Sequence, residues 1–315
     1  MNSWEKQNES EKLEDILTIL SKEWEPFAGN RALLNLHQLL TNSQYIEQLL
    51  PIMFGALSNP NSSYYMALAL GRMGDRTLSR LIKATEDKNA NVRSGACLAL
   101  GQNYSSQRDL AIPVLLASLS DKNSTVRQEA INSLSNFHLD SSTVPTLILT
   151  MQNDPEISIR FIAAHILERI KDSRILEPAL EALEDKESMM RCAAIRILGS
   201  SGNKQVLNKL IEFVENENED SIVRLTAVNA VSLLGGNEIK EFLINLLTNK
   251  NNDVRYGAVQ ELAKIGDVEA LPYLEEIYLN DEGSPTRGGT SQPTIKKAAA
   301  EAIQAIKDRK KSQFV

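Results

Sequence analysis

An aliphatic residue followed by arginine, then by small and aliphatic residues at fixed distances, returns six times along this 315-residue chain. It reads Val92-Arg93 with Ala96, Ala99, Leu100 and Gly101, then Val126-Arg127 with Ala130, Ser133 and Leu134. Ile159-Arg160 comes with Ala163 and Leu167, and Met190-Arg191 with Ala194, Leu198 and Gly199. Val223-Arg224 comes with Ala227 and Ala230, and Val254-Arg255 with Ala258 and Leu262. The six arginines are 34, 33, 31, 33 and 31 residues apart. A period near 33 with a constant internal pattern marks a repeat architecture, and few folds are compatible with it.

Each unit reads as two helices. The first carries apolar residues three and four apart, as in Ile112, Leu115, Leu116 and Leu119, or Leu207, Leu210, Ile211 and Val214. The second begins at the arginine phrase. Six residues before the arginine stands Asp87, Asp121, Asp154 or Asp185, and Asn218 or Asn249 in the last two units. A short polar side chain there predicts a turn and a helix N-terminus. Glycines at 74, 101, 202, 236 and 266 mark the stops. Weaker copies centre on Arg31, on Ser63 and on Ile295-Lys296, which gives about nine helix pairs. The last interval is about eight residues too long, and the surplus fits a loop from Asp281 to Pro293 with Gly283, Pro285, Gly288 and Gly289.

One pair cannot bury its own apolar stripe, so stability has to come from stacking on both neighbours. The pattern therefore predicts an all-α solenoid forming a single domain over 1–315. Residues 1–75 would be degenerate capping repeats, 76–268 regular repeats, 281–293 a loop insertion, and 294–315 a capping helix and tail. In each second helix the third, fourth, sixth and seventh positions after arginine should point inward. The first, second and fifth should face outward.

With 5% aromatic residues, packing falls to Leu, Ile, Val and Ala. The net charge of −7 opposes a nucleic-acid partner, because phosphate neutralisation supplies most of that affinity. The cationic run Lys307, Arg309, Lys310, Lys311 reads as the solvated end of the last helix. No segment approaches the ~20 apolar residues of a membrane span. Met1 to Ser10 has neither the cationic nor the apolar part of a secretory signal, so a cytoplasmic protein is expected. Cys97 and Cys192 fall in different repeats and read as reduced thiols, small hydrophobes rather than nucleophiles.

The phrase D-x-x-x-x-V-R-x-x-A-x-x-A-L-G resembles the HEAT-repeat family, and within it the bacterial short-HEAT subgroup first recognised in phycobilisome lyases. Residues 76–268 carry the resemblance. It implies a right-handed superhelix and a structural ladder of Asp and Arg between adjacent repeats. By resemblance Arg93, Arg127, Arg160, Arg191, Arg224 and Arg255 would pair with Asp87, Asp121, Asp154 and Asp185 or their Asn equivalents. It also implies that the outward positions line the concave side.

The enzymatic relatives place requirements on the residues. A HEAT-like deoxyhypusine hydroxylase needs paired His-Glu steps for iron, yet His37, His138 and His165 are each followed by something other than Glu. A HEAT-like DNA glycosylase needs a cationic face and aromatic residues, and Trp4 and Trp24 both fall in the N-terminal cap. Arg287-Gly288-Gly289 lacks the lysine and helix start of a phosphate loop; a flexible insertion and partner clamp is the reading there. The subgroup leaves a bilin lyase subunit or chromophore-handling chaperone as the alternative. The leading expectation is a non-catalytic scaffold that binds a protein or peptide, with no cofactor, metal or catalytic set. Its binding stripe would comprise Tyr64, Tyr65, Phe161, Ile162, His165, Arg196, Leu225 and Tyr256, the apolar or aromatic outward positions with their polar neighbours. His165 is read as a lone histidine without a partner carboxylate.

Overall fold

The turn that starts each second helix is built by two polar residues acting in sequence. Asp87 Oδ1 accepts from Asn89 N at 2.8 Å, and Asn89 Oδ1 then accepts from Asn91 N at 2.9 Å as the helix N-cap. Asp121 and Asn123 repeat the device, as do Asn249 and Asn251. The residue six before the arginine therefore shapes the turn, and the cap lies two residues later; sequence reasoning had merged the two roles. Asp220 takes the cap of its helix directly, accepting from Ile222 N at 2.8 Å. Short polar side chains at such caps contribute about 0.5–2 kcal/mol each.

The computed structural model describes residues 46–102, 106, 108–286 and 294–312. They form α1 (Ile46–Ala56) with α2 (Pro60–Arg72), α3 (Asp75–Ala84) with α4 (Ala90–Gly101), and α5 (Ala111–Ser118) with α6 (Ser124–Leu134). Then follow α7 (Val144–Asn153) with α8 (Ile157–Ile170), α9 (Leu176–Ala182) with α10 (Ser188–Ser200), and α11 (Leu207–Glu215) with α12 (Ser221–Gly235). The last are α13 (Lys240–Leu246) with α14 (Asn252–Ile265) and α15 (Leu271–Asn280) with α16 (Ile295–Ser312). Among the described residues the chain is all-α, and the pairs stack as an α-solenoid. The expected pair around Arg31, with Trp4, Trp24 and His37, lies outside the described residues, as do Arg287, Gly288 and Gly289. No helix of the described residues is long and apolar enough to cross a membrane.

Two compact units are distinguished, Met1–Thr146 with Asn153–Ala163, and Leu147–Gln152 with Ala164–Val315. Within the first, α2 packs on α4 and α4 on α6; within the second, α10 packs on α12, α12 on α14, and α14 on α16. The third, fourth, sixth and seventh positions after each arginine are buried. Leu100 and Leu134 in the first unit are fully enclosed, as are Leu167 and Leu198 in the second. Each such side chain contributes roughly 1.5–3 kcal/mol of burial. The glycine at the eighth position meets the small residue at the sixth position of the next repeat. A Cβ on Gly71 would stand 2.6 Å from Ala99 O, and one on Gly199 2.6 Å from Ala230 Cβ. That close approach explains why the phrase ends in Gly where the next repeat carries Ala or Ser.

Four of the ladder arginines, Arg93, Arg127, Arg191 and Arg255, each join two repeats. Arg93 donates from Nε and Nη2 to both carboxylate oxygens of Asp121, at 2.6 and 2.8 Å, and from Nη1 to Asp87 O at 2.9 Å. Arg127 does the same with Asp154 and with Asp121 O. In the second unit Arg191 forks onto Glu219 and Arg255 onto Asp281, and Nη1 reaches Asp185 O and Asn249 O respectively. An arginine thus takes the carboxylate 26 to 28 residues ahead and the carbonyl six behind. The carboxylate for Arg191 is Glu219, one residue after the neutral Asn218 that stands at the expected position.

Arg224 departs from the pattern. It is 3% exposed, donates from Nε to Val214 O at 2.9 Å, and meets the neutral Asn249 Oδ1 at 3.4 Å where other rungs have a carboxylate. Burial lowers its pKa, with Glu217 opposing. Asn249→Asp places the missing charge beside it while keeping the acceptor for Asn251 N. The expected gain is about 1.5–3 kcal/mol at pH 7, the value of a hydrogen bond to a charged group. A carboxylate held low by its partner loses its contribution as pH falls through its folded pKa, so the gain should vanish in acid. Urea midpoints of the two proteins at pH 7 and pH 3 check this.

The described start of the interval after α15 is fastened to α14. Asp281 Oδ1 accepts from Gly283 N, Asn252 Nδ2 donates to Ser284 O at 3.0 Å, and Thr286 donates from both N and Oγ1 to the buried carboxylate of Asp253. Residues 281–286 are thus tied to the start of α14, while the flexible insertion expected at Arg287-Gly288-Gly289 lies outside the described residues.

Candidate protein-binding face

The second helices leave one polar row uncovered, and it is narrower than the sequence pattern suggests. In the first unit Gly95, the second position after Arg93, packs within Cβ range of Leu57 and Ser63. In the second unit Gly257, the second after Arg255, packs within Cβ range of Leu225 and Val228. The second position therefore lies in the seam between adjacent second helices, and it is in the second unit that the fifth position reaches solvent. His165, Asn229 and Gln260 are exposed there, and Arg196 is half-buried.

This geometry corrects the expected stripe. Tyr65 is 9% exposed and Tyr256 6%, so both belong to the core. Tyr64 is 56% exposed, and its ring stands edge-on to Tyr65 at 5.5 Å, which anchors it at one side. Phe161 and Ile162 are half-buried, and so is Leu225, which Gly257 admits by lacking a Cβ. The Tyr256 hydroxyl accepts from Gln260 Nε2 at 3.0 Å, so that tyrosine supports a surface amide instead of offering its ring.

His165 has a carboxylate neighbour. Its Nδ1 lies 3.5 Å from Glu168 Oε2, and the same oxygen accepts from Arg196 Nε at 3.2 Å. Glu168 occupies the eighth position after Arg160, where the other repeats carry Gly, Ser or Ala, and that departure was the available signal. The group presents a carboxylate flanked by an exposed imidazole and a half-exposed guanidinium, a polar contact site rather than a hydrolytic set.

The two thiols are poorly suited to transfer chemistry. Burial pushes the Cys97 thiol up to about 11 against a lowering hydrogen bond with Ser118, and burial likewise raises Cys192 beside Thr226. Both stay protonated near neutrality, and the thiolate is the nucleophile. Among the described residues no group of three His, Cys, Asp or Glu is placed to hold a metal ion.

A family profile described as HEAT repeats matches residues 46–135, 144–230 and 215–292. The chain belongs to the HEAT-repeat family. Solved structures agree on the fold. E. coli YibA is 22% identical, with 84% of this chain and 95% of that one covered and a TM-score of 0.58. Importin beta is 15% identical over 93% of this chain and 45% of its own, with a TM-score of 0.60. The CpcE–CpcF phycocyanin lyase complex from Nostoc is also similar, at 20% identity over 73% of this chain and 94% of that one; its TM-score of 0.44 carries no argument about activity. No curated protein matches the chain by sequence. In this HEAT-repeat protein the ladder, the glycine contacts and the leucine seam account for the conspicuous residues of the phrase. What is left for function is the residues that the stack does not use.

Proposed function

We propose that this HEAT-repeat protein is a non-catalytic scaffold that binds a protein or peptide partner along the exposed row of its second helices. The supporting observation is the separation of roles within each second helix. Four positions after the arginine are buried in the stack, while the fifth is held at the surface as His165, Arg196, Asn229 and Gln260. These side chains donate and accept hydrogen bonds and are spaced one per repeat, which suits an extended partner contacted repeat by repeat. Tyr64 serves the first unit as an aromatic anchor of the kind enriched in binding hot spots. The cytoplasm is the compartment that fits two reduced thiols.

The test uses a photo-crosslinking amino acid at Asn229 or Gln260, with Glu212 on α11 as a first-helix control. In the native host, one and the same protein should be captured from both second-helix positions and not from Glu212. The purified partner should then bind Asn229→Ala/Gln260→Ala about ten-fold more weakly, a difference of roughly 1.4 kcal/mol. Capture from Glu212 alone, or unchanged affinity in the folded double variant, would reject this face.

A further inference from the structure

Successive first helices in the second unit do not close on one another as the second helices do. Between α13 and α15 this leaves two hollows, of about 590 and 300 Å³, both walled by Ile244 and Tyr273. Volumes of this size are typical of ligand and side-chain pockets. Tyr273 stands between them, an aromatic ring at 50% exposure. Leu247 and Ile277 add apolar floor to the larger hollow.

The charges around these hollows are unbalanced. Lys240 is committed to Asp267 at 2.5 Å, and Arg255 to Asp281 at 2.7 Å. That leaves Glu241 and Glu269 at the smaller hollow, Glu276 and Glu282 at the larger, and Lys250 as the one uncommitted cation among the described lining residues. Glu282 has only a distant partner, Lys296 at 3.8 Å, and is 86% exposed. Carboxylates thus flank an aromatic centre on both sides. An anionic lipid surface or a nucleic acid is repelled by that arrangement, and a single small amine would engage only one of its ends.

We propose that this groove docks a basic peptide segment of a partner protein, with lysine or arginine on each side of one apolar side chain. The apolar residue packs on Tyr273 between the two hollows, and its flanking cations meet Glu269 and Glu276. The surface is built from first helices, so it is separate from the row that carries Asn229 and Gln260, and the two can be tested independently.

The probe is a fluorescein-labelled peptide with two lysines on each side of a leucine, titrated with the whole protein and followed by anisotropy. Its comparators have glutamate in place of lysine, or alanine in place of leucine. The lysine–leucine peptide should bind, and more weakly as salt shortens the Debye length to about 8 Å. Tyr273→Ala should weaken it about ten-fold, and Glu269→Lys/Glu276→Lys should abolish it, with helix content by circular dichroism unchanged. Asn229→Ala/Gln260→Ala should leave it intact, which separates this site from the second-helix face. Absence of binding, equal binding of the glutamate or alanine peptide, or equal binding by the folded charge-reversed variant would overturn the proposal. So would a dimer in sedimentation that Tyr273→Ala dissociates, since the occupant would then be a second copy.

Discussion

Arg93→Ala is expected to lower stability by about 3–5 kcal/mol at pH 7, the range for removing one partner of a buried ion pair. Both side chains are well covered, at 8% and 13% exposure, and the variant strands the Asp121 carboxylate with its backbone donor Asn123 N alone. An exposed pair such as Lys204 with Glu238 should cost about 0–1 kcal/mol when broken. The acid dependence gives a second readout. The Arg93 hydrogen bond holds the pKa of Asp121 below the ordinary carboxylate value, against the opposing effect of burial. A depressed carboxylate contributes stability above its unfolded pKa of about 3.9 and loses it as pH falls through the folded value. The gap between wild type and Arg93→Ala should therefore be full at pH 7 and close progressively below about pH 4. Urea titrations across that range decide it; a gap independent of pH would mean that the arginine acts through packing and its carbonyl contacts to Asp87 and Lys88.

Leu198→Ala is expected to cost roughly 2–5 kcal/mol, as for other leucines removed from close-packed interiors. Leu198 is fully buried on α10, beside the position where Gly199 lets Ala230 approach. With the helices already in near contact through small residues, the walls have little freedom to collapse into the void. Leu279→Ala serves as the control, since that side chain is 67% exposed and its loss should move the midpoint little. Thermal and urea denaturation of the two variants compare them directly; equal effects would place Leu198 outside the seam.

Much of the fold was readable because each structural task in the repeat needs a particular kind of residue. A bidentate ion pair needs arginine, a close helix crossing needs Gly against Ala or Ser, and a turn needs Asp or Asn, so the phrase is close to a transcript of the stack. The face was less readable for an equally physical reason. A helical wheel gives the directions in which Tyr65, Leu225 and Tyr256 point, but not what stands beside them. Second helices flank one another closely enough to cover these side chains wholly or in part, and this lateral burial has no signature within one repeat. The ladder partners were missed in part because the pairing runs forward by nearly a whole repeat: the Asn218 position suggested a neutral rung where Glu219 supplies the carboxylate one residue later.

The interval after α15 carries a consequence for how such a chain can change over time. Its surplus residues enter only after Asp281 has met Arg255, and the backbone returns where Ile295 N donates to Gly283 O at 3.2 Å. Departure and return are fastened to one another before the extra length begins. Lengthening a segment whose ends are already joined adds entropy cost only slowly, about 0.6 kcal/mol for each doubling. The rungs hold the other intervals near their fixed length, while this one can gain or lose residues with no shift in the register of α16. It is the point where new sequence, or a grafted tag, can enter the array without being read by it.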